Sequence, residues 1–392
     1  MAVLLASRPM PRLLYLLALC NLVIGTGAFV LSGILQPLSD ALGSSVATTG
    51  QAMTVYALAT AVLAPLALVL TGCWPRRRAL CFGLVVFALG NALCAIATSL
   101  GWLFAGRVLM GMGAVFTPLA AGIAVAVVEP AKRGRALSLV FLGMSMSYVI
   151  GVPLGAWLAF RFGWQWPFVL VACLSLLGVA ALMVVLPKNL SAPGASFAGL
   201  PALLRQSAVW WTLSLTLLYF MAIFTVFSYI GPVLQSLSPM SHERLSATLV
   251  IFGLAGVAGT LIGGWANDRF GTRRTLTAQM AVLGSMMALV PFTQGQHALM
   301  VSAFVIWGIA GFGMMTPQQS RLAALAPAQA PLLFSLNTSM LYFGTALGAL
   351  AGGAFSAPLG MARLAWLGVP LAALGLFTLW MTSPKRASKR TA

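Results

Sequence analysis

The sequence predicts an all-α membrane protein of twelve transmembrane helices, arranged as two six-helix pseudo-symmetric halves. Three observations predict it. The composition is too apolar for a surface facing water, the apolar residues gather into twelve runs of spanning length, and the second six runs repeat features of the first.

Of 392 residues, 60% are hydrophobic and 7% are charged, whereas a soluble domain carries roughly 25% charged residues. The outer surface must therefore meet lipid. Forty glycines and 21 prolines are tolerable there, because neighbouring helices re-satisfy the backbone groups that such residues free. The net charge is +18, from 22 Lys and Arg against four acids. These bases stand in short clusters between apolar runs, not along one helix face. That is a membrane-surface pattern and argues against a nucleic-acid partner. The cysteines (Cys20, Cys73, Cys81, Cys94, Cys173) form no C-x-x-C pair, so they read as small hydrophobes, with no disulfide framework and no zinc spacing.

A helical span needs roughly 20 mostly apolar residues. The runs are 13–35, 47–70, 79–98, 102–127, 136–160, 165–186, 208–231, 245–266, 275–294, 297–320, 332–356 and 364–382. The first follows Arg8 and Arg12 and exceeds the roughly 7–15 apolar residues of a signal peptide, so it is read as a span. With the N-terminus inside, eighteen bases fall on the cytoplasmic side. They are Arg8, Arg12, Arg76, Arg77, Arg78, Lys132, Arg133, Arg135, Lys188, Arg205, Arg269, Arg273, Arg274, Arg321, Lys385, Arg386, Lys389 and Arg390. Only Arg161, Arg244 and Arg363 fall outside. This bias predicts cytoplasmic N- and C-termini.

The longest connection, 187–207, is rich in small residues and proline. It divides the chain into an N-terminal half (1–186), a cytoplasmic linker (187–207) and a C-terminal half (208–392) with a short basic tail. Internal similarity supports the division. G-I-L-Q-P-L-S with Gln36 matches G-P-V-L-Q-S-L-S with Gln235, and P-R-R-R-A-L (75–80) matches R-F-G-T-R-R-T-L (269–276). G-M-G-A-V-F-T-P (111–118) matches G-F-G-M-M-T-P (311–317). Pro130, Ser138, Gly151 and Gly155 match Pro327, Ser335, Gly348 and Gly352. Parallel six-span repeats imply a two-fold axis along the membrane normal, with a solute site near the midplane between the halves.

Four stretches carry a family resemblance. They are G-G-W-A-N-D-R-F-G-T-R-R (263–274), W-L-F-A-G-R-V-L-M-G-M-G (102–113), G-M-S-M-S-Y-V-I-G-V-P-L-G (143–155), and the second and third spans (56–97) with P-R-R-R-A-L between them. Together they make the chain resemble the major facilitator superfamily over nearly its whole length. Within it, the chain is similar to the twelve-span subgroup that holds bacterial drug, sugar and nucleoside exporters of the arabinose-efflux and chloramphenicol-resistance types. The resemblance implies efflux by a secondary antiporter of the bacterial inner membrane.

The resemblance also implies roles for particular residues. Asp268, Arg269, Gly271, Arg273 and Arg274 match the loop motif that holds the cytoplasmic side shut. An acid at a span end can pair with a neighbouring arginine or cap a helix, while positive-inside topology alone also accounts for the arginines. The first-half copy, T-G-C-W-P-R-R-R (71–78), has no acid. Gly143, Gly151, Pro153 and Gly155 match the antiporter motif. They leave one helix face nearly bare for close packing, and Pro153 bends the helix.

Arg107 is the single charge placed inside a span. Insertion there costs roughly 2.5–3.5 kcal/mol, which makes it a functional candidate, with snorkelling as the rival reading. Phe29, Gln36, Tyr219, Phe227, Gln235, Trp307 and Asn337 join it as candidate cavity residues. Asn21, Thr26, Gln51, Tyr56, Tyr148, Phe224, Gln318 and Tyr342 extend the polar and aromatic set of the spans. A mostly apolar cavity with few hydrogen-bonding groups suits neutral or lipophilic solutes.

The acids are Asp40, Glu129, Glu243 and Asp268, all at span ends or in loops, and His242 and His297 lie near the outer surface. Where the exporter subgroup often has a G-T-A-E-F-like stretch in the first span, this chain reads G-T-G-A-F (25–29). Proton antiport, which normally uses a titratable intramembrane group, is therefore implied by the resemblance but not by the residues. A facilitative uniporter and a non-transporting sensor on the same fold are the alternatives. An enzyme is not expected: G-M-S-M-S (143–147) lacks the second glycine of a nucleophile elbow, and no G-x-x-x-x-G-K loop serves ATP. The expected partners are a small-molecule solute, membrane lipid and, through the resemblance, protons. No nucleic acid, cofactor or metal is expected, and the chain is expected to act as a monomer.

Overall fold

The computed structural model describes residues 10–128, 133–187, 203–326 and 330–382. Arg8, Glu129, Lys132, most of the linker (188–202) and the basic tail lie outside the described residues. Among the described residues the regular structure is helical throughout. Twelve helices are long and apolar enough to cross a membrane: Arg12–Phe29, Val46–Leu68, Arg76–Ala95, Leu100–Ala124, Leu139–Phe162, Trp166–Val185, Ser207–Phe227, His242–Phe270, Thr272–Thr293, His297–Leu325, Leu332–Leu359 and Met361–Met381. They are numbered spans 1 to 12. Their lipid-facing sides carry exposed Leu19, Leu66, Leu177, Leu261 and Phe292, side chains that only an apolar solvent accommodates in such number.

Each predicted run meets one span, and the ends differ for local reasons. Span 8 runs over His242–Phe270, beyond the apolar run 245–266. Ser241 caps it, its Oγ accepting from the Arg244 amide at 3.3 Å, and Glu243 sits in the first turn. Gly271, at φ 81°, ends it. Polar caps and charges suited to the helix dipole extend a helix past its apolar stretch, where a hydropathy window sees nothing.

Spans 1 and 7 are each continued by a second helix after a break, and spans 4 and 10 are broken within, at matched places. In span 1 the helix Met10–Phe29 gives way to Leu31–Ala41, and in span 7 Ser207–Phe227 gives way to Ile230–Leu237. Span 4 breaks between Leu100–Gly113 and Phe116–Ala126, and span 10 between His297–Phe312 and Met315–Leu325. The latter two breaks fall inside the repeated 111–118 and 311–317 stretches. Span 5 carries a π-helical segment, Ser147–Gly151, just before Pro153. Its counterpart, span 11, is one continuous helix, Ala330–Leu359.

The packing repeats as well. In the first half, span 1 packs on spans 5 and 6, span 3 on spans 4 and 6, and span 2 on span 4. In the second, span 7 packs on spans 11 and 12, span 9 on spans 10 and 12, and span 8 on span 10. Each pair maps onto its partner by adding six. The halves meet through span 2 on span 11, span 5 on span 8, and the second helices of spans 1 and 7. That set also maps onto itself when the halves are exchanged, as a two-fold axis along the bundle requires.

One end of the bundle holds the start of span 1, the end of span 12 and the arginines at 76–78 and 269–274. It is called the basic face, and the other the opposite face.

Candidate functional site

Where the interrupted spans meet between the halves, aromatic rings form one connected group. Phe29 ends the first helix of span 1 and stacks on Tyr148 of the π segment, with centroids 4.9 Å apart. Both reach the second half. Phe29 lies 5.9 Å from Phe224 and 6.1 Å from Phe227, and Tyr148 lies 5.5 Å from Phe227 and 4.7 Å from Phe312. Phe252 continues the group to Phe227 (5.9 Å), Phe312 (5.8 Å) and Trp307 (5.0 Å). Rings at these separations attract by roughly 0.5–1.5 kcal/mol per pair beyond their burial. Phe29, Tyr148, Phe227 and Phe312 sit at helix breaks or in the π segment.

From this level to the opposite face, the halves are joined. Gln51 Nε2 donates to the Tyr229 hydroxyl at 3.2 Å, and that hydroxyl donates to the Ala349 carbonyl at 2.9 Å. Thr54 Oγ1 donates to Gln51 Oε1 at 2.9 Å and also lies 3.4 Å from the Ala346 carbonyl. A Cβ on Gly253 of span 8 would collide with the Tyr148 carbonyl, so span 8 lies directly on the π segment. Phe160 and His242 stack at 4.0 Å near the opposite face.

Below the aromatic group each half holds a buried polar knot between equivalent spans. Asn21 Nδ2 donates to the Val140 carbonyl at 3.1 Å, and Thr117 Oγ1 donates to Asn21 Oδ1 at 2.8 Å, tying spans 1, 4 and 5. In the second half Thr216 Oγ1 donates to Asn337 Oδ1 at 2.6 Å. Gln318 Nε2 donates to Thr216 Oγ1 at 2.9 Å and to the Thr212 carbonyl at 2.7 Å, tying spans 7, 10 and 11. Hydrogen bonds of this kind hold helices together where lipid offers no hydrophobic drive.

A family model described as Major Facilitator Superfamily matches residues 17–330 and 240–392. The chain belongs to the major facilitator superfamily. Among relatives of this transporter, the uncharacterized MFS-type transporter YbcL of Bacillus subtilis is 30% identical over 380 residues, which is 96% of this chain and 97% of that one. The inner membrane transport protein YdhP of Escherichia coli K12 is 32% identical over 365 residues, 93% of this chain and 94% of that one. In fold, the chain is similar to a bacterial homolog of the human lysosomal transporter Spinster, solved in an inward-facing and unoccupied conformation. The TM-score is 0.75 at 17% identity, covering 96% of each chain. The protein is an integral membrane transporter whose partners are a small-molecule solute and lipid.

The sequence-selected residues separate into groups. Phe29, Phe227 and Trp307 join the aromatic group. Tyr219 sits beside it, buried, its hydroxyl donating to the Ala310 carbonyl at the end of the first helix of span 10. Asn337 belongs to the second polar knot. Gln36 and Gln235 are not brought to the centre. Gln36 is exposed and donates to Asp40 Oδ1 at 2.9 Å. Gln235 holds the following loop, accepting from the Met240 amide at 3.1 Å and donating to its carbonyl at 3.0 Å. Asp40 is thus engaged with Gln36 and does not meet Arg107.

Arg107 lies inside the first half, fully buried. Its Nη1 donates to the carbonyls of Gly27 (3.0 Å) and Ala28 (3.3 Å). These stand in the last turn of the first helix of span 1, where carbonyls lack intrahelical donors. The 111–118 and 311–317 match puts Trp307 in the equivalent place of the second half.

Gly143, Gly151 and Gly155 pack span 5 on span 1 within one half. Added Cβ atoms would collide with the Ala18 carbonyl, Thr26 and Val30 respectively, and Pro153 is buried beside them. On the basic face Asp268, Arg269, Gly271, Arg273 and Arg274 are all exposed. Asp268 Oδ1 accepts from Asn267 Nδ2 at 3.3 Å, and among the described residues it forms no ion pair.

Sequence reading missed Tyr229, Phe252, Phe312 and Gly253. Aromatic residues in apolar spans carry no mark of which face they occupy. Only the repeat hinted at Tyr229, by aligning it with Val30 at the span 1 break.

Proposed function

We propose that the chain is a secondary transporter that exports small neutral or lipophilic solutes by alternating access. The aromatic group carries the reading. It lies at mid-span between the halves, at the breaks of spans 1, 7 and 10, where transporters of this architecture place their solutes. Its lining offers ring faces and few hydrogen-bonding groups, which suits apolar or planar molecules. Phe29, Phe227, Trp307 and Tyr219 contact or border the solute, and Arg107 and Asn337 support them from within the two halves. Gln36 and Gln235 act at the opposite-face mouth.

The halves 1–186 and 208–392 rock about the linker 187–207. Contacts from mid-span to the opposite face fit a state open toward the basic face, which the arginine bias makes cytoplasmic, with both termini inside a bacterial inner membrane. In the alternate state Asp268, Arg269, Gly271, Arg273 and Arg274 close the cytoplasmic side. Gly143, Gly151, Pro153 and Gly155 keep span 5 tight on span 1 so that the half moves as a unit.

Two energy sources remain in competition. Proton antiport follows from the family resemblance. A facilitative uniporter is favoured by one specific observation: each of the four acids lies at or beyond a span end, so no carboxylate relay stands in the spans. Proteoliposomes loaded with a panel of neutral aromatic and sugar-like solutes decide. Solute flux that is accelerated by an opposing pH gradient supports antiport, flux indifferent to it supports the uniporter, and no flux across the panel sinks the transport of neutral solutes.

A further inference from the structure

Among the described residues Arg107 is the largest fully buried side chain, and only part of it is satisfied. Nη1 is spent on the Gly27 and Ala28 carbonyls. Nε and Nη2 have no hydrogen-bond partner. These two nitrogens share one edge of the planar guanidinium, the edge that presents parallel N–H groups to a single acceptor group. The ring of Phe168 lies 5.5 Å from the guanidinium carbon and that of Tyr56 5.9 Å. Ring faces offset part of the charge but do not accept the paired edge hydrogens. Tyr56 is itself fully buried.

Among the described residues no acid serves this edge. Asp40 is held by Gln36 at the opposite face, Glu243 stands in the first turn of span 8 and Asp268 in its last, and Glu129 follows the end of span 4 in sequence. In Arg107 the fold therefore keeps a full positive charge in the middle of the first half, with one bidentate edge unspent.

We propose that this edge binds a small monovalent anion, a halide or a carboxylate, within the first half between spans 1, 2, 4 and 6. The anion accepts from Nε and from one N–H of Nη2, filling the unspent edge of the guanidinium and neutralising it. The site borders the interface between the halves, since Tyr56 also meets Tyr342 of span 11, ring centroids 6.4 Å apart. The site is distinct from the aromatic group, and its occupancy is read without transport, so failure of the export reading leaves it standing.

The test is thermal melting of the purified full chain in detergent at constant ionic strength. Sodium gluconate, whose anion is too large for an enclosed site, is replaced stepwise by chloride, bromide, formate or acetate. A saturable rise in melting temperature with at least one small anion is expected. Saturation by halides alone assigns the site to an inorganic ion, and saturation by carboxylates alone assigns it to the carboxylate of a solute. Arg107→Lys keeps the charge and removes the paired edge. It should raise the half-saturating concentration about ten-fold, the loss of one charge-assisted hydrogen bond. Identical, non-saturable behaviour of the unaltered protein in every salt overturns the proposal, as does an unchanged half-saturating concentration in Arg107→Lys. If that variant does not fold, the salt series on the unaltered protein decides alone.

Discussion

Gln51 of span 2 donates to the hydroxyl of Tyr229 of span 7 at 3.2 Å, and this contact crosses from one half to the other. The same hydroxyl donates to the Ala349 carbonyl, so Tyr229 links three spans. Tyr229→Phe keeps the ring and removes both bonds, at a cost of about 1–2 kcal/mol. If these bonds hold the opposite face closed, the variant should also populate a state open there. In a background without native cysteines, Thr54→Cys, beside this contact, should react faster with a polar maleimide once Tyr229→Phe is added. Unchanged labelling would mean that the bond does not help hold that face shut.

Gly143 and Gly122 are both helical glycines with opposite surroundings. A Cβ on Gly143 would collide with the Ala18 carbonyl, whereas one on Gly122 meets nothing within 4 Å. Gly143→Ala should therefore destabilise by about 1–3 kcal/mol, because backbone rather than a flexible side chain must yield. Gly122→Ala should be neutral or stabilising by up to about 1 kcal/mol through the loss of glycine's unfolded-state freedom. Thermal unfolding of the two variants in one detergent compares them directly.

The fold was legible because lipid imposes it. An apolar run of twenty residues has almost no alternative to a helix, and the 111–118 and 311–317 match marked what are paired breaks of spans 4 and 10. The site was legible only in part. Arg107 stood out as a lone charge, but whether it faced the space between the halves or the interior of one half depends on helix rotation, which a uniformly apolar span does not encode. Gln36 and Gln235 matched in the repeat yet make different local bonds, to Asp40 and to Met240, because repeat position sets the backbone and not the neighbours of a side chain. The π segment at Tyr148 has no sequence sign beyond the glycines and proline around it.

Tyr148 tests whether the aromatic group contacts solute or merely fills space. Its ring touches Phe29, Phe227 and Phe312, so Tyr148→Phe should leave both stability and flux close to the unaltered protein. Tyr148→Ala removes the ring joining the halves and should cost about 3–5 kcal/mol if the group is simply core. A solute site predicts more: a rise in the half-saturating solute concentration for Tyr148→Leu, which retains apolar volume. A melting-temperature loss with unchanged solute affinity would restrict Tyr148 to packing.

Asp268 separates a gate from plain topology. It is exposed and among the described residues forms no ion pair, its carboxylate accepting from Asn267. Asp268→Asn should therefore change stability by no more than about 0.5 kcal/mol, the range of an exposed surface substitution. If Asp268 pairs with an arginine when the basic face closes, the variant should nevertheless slow turnover, because the closed state alone loses the charge-assisted bond. Initial rates in proteoliposomes, set beside the melting temperature of the same preparation, resolve the two effects. Equal flux with equal stability would leave the arginines of 269–274 as determinants of orientation and remove Asp268 from the transport cycle.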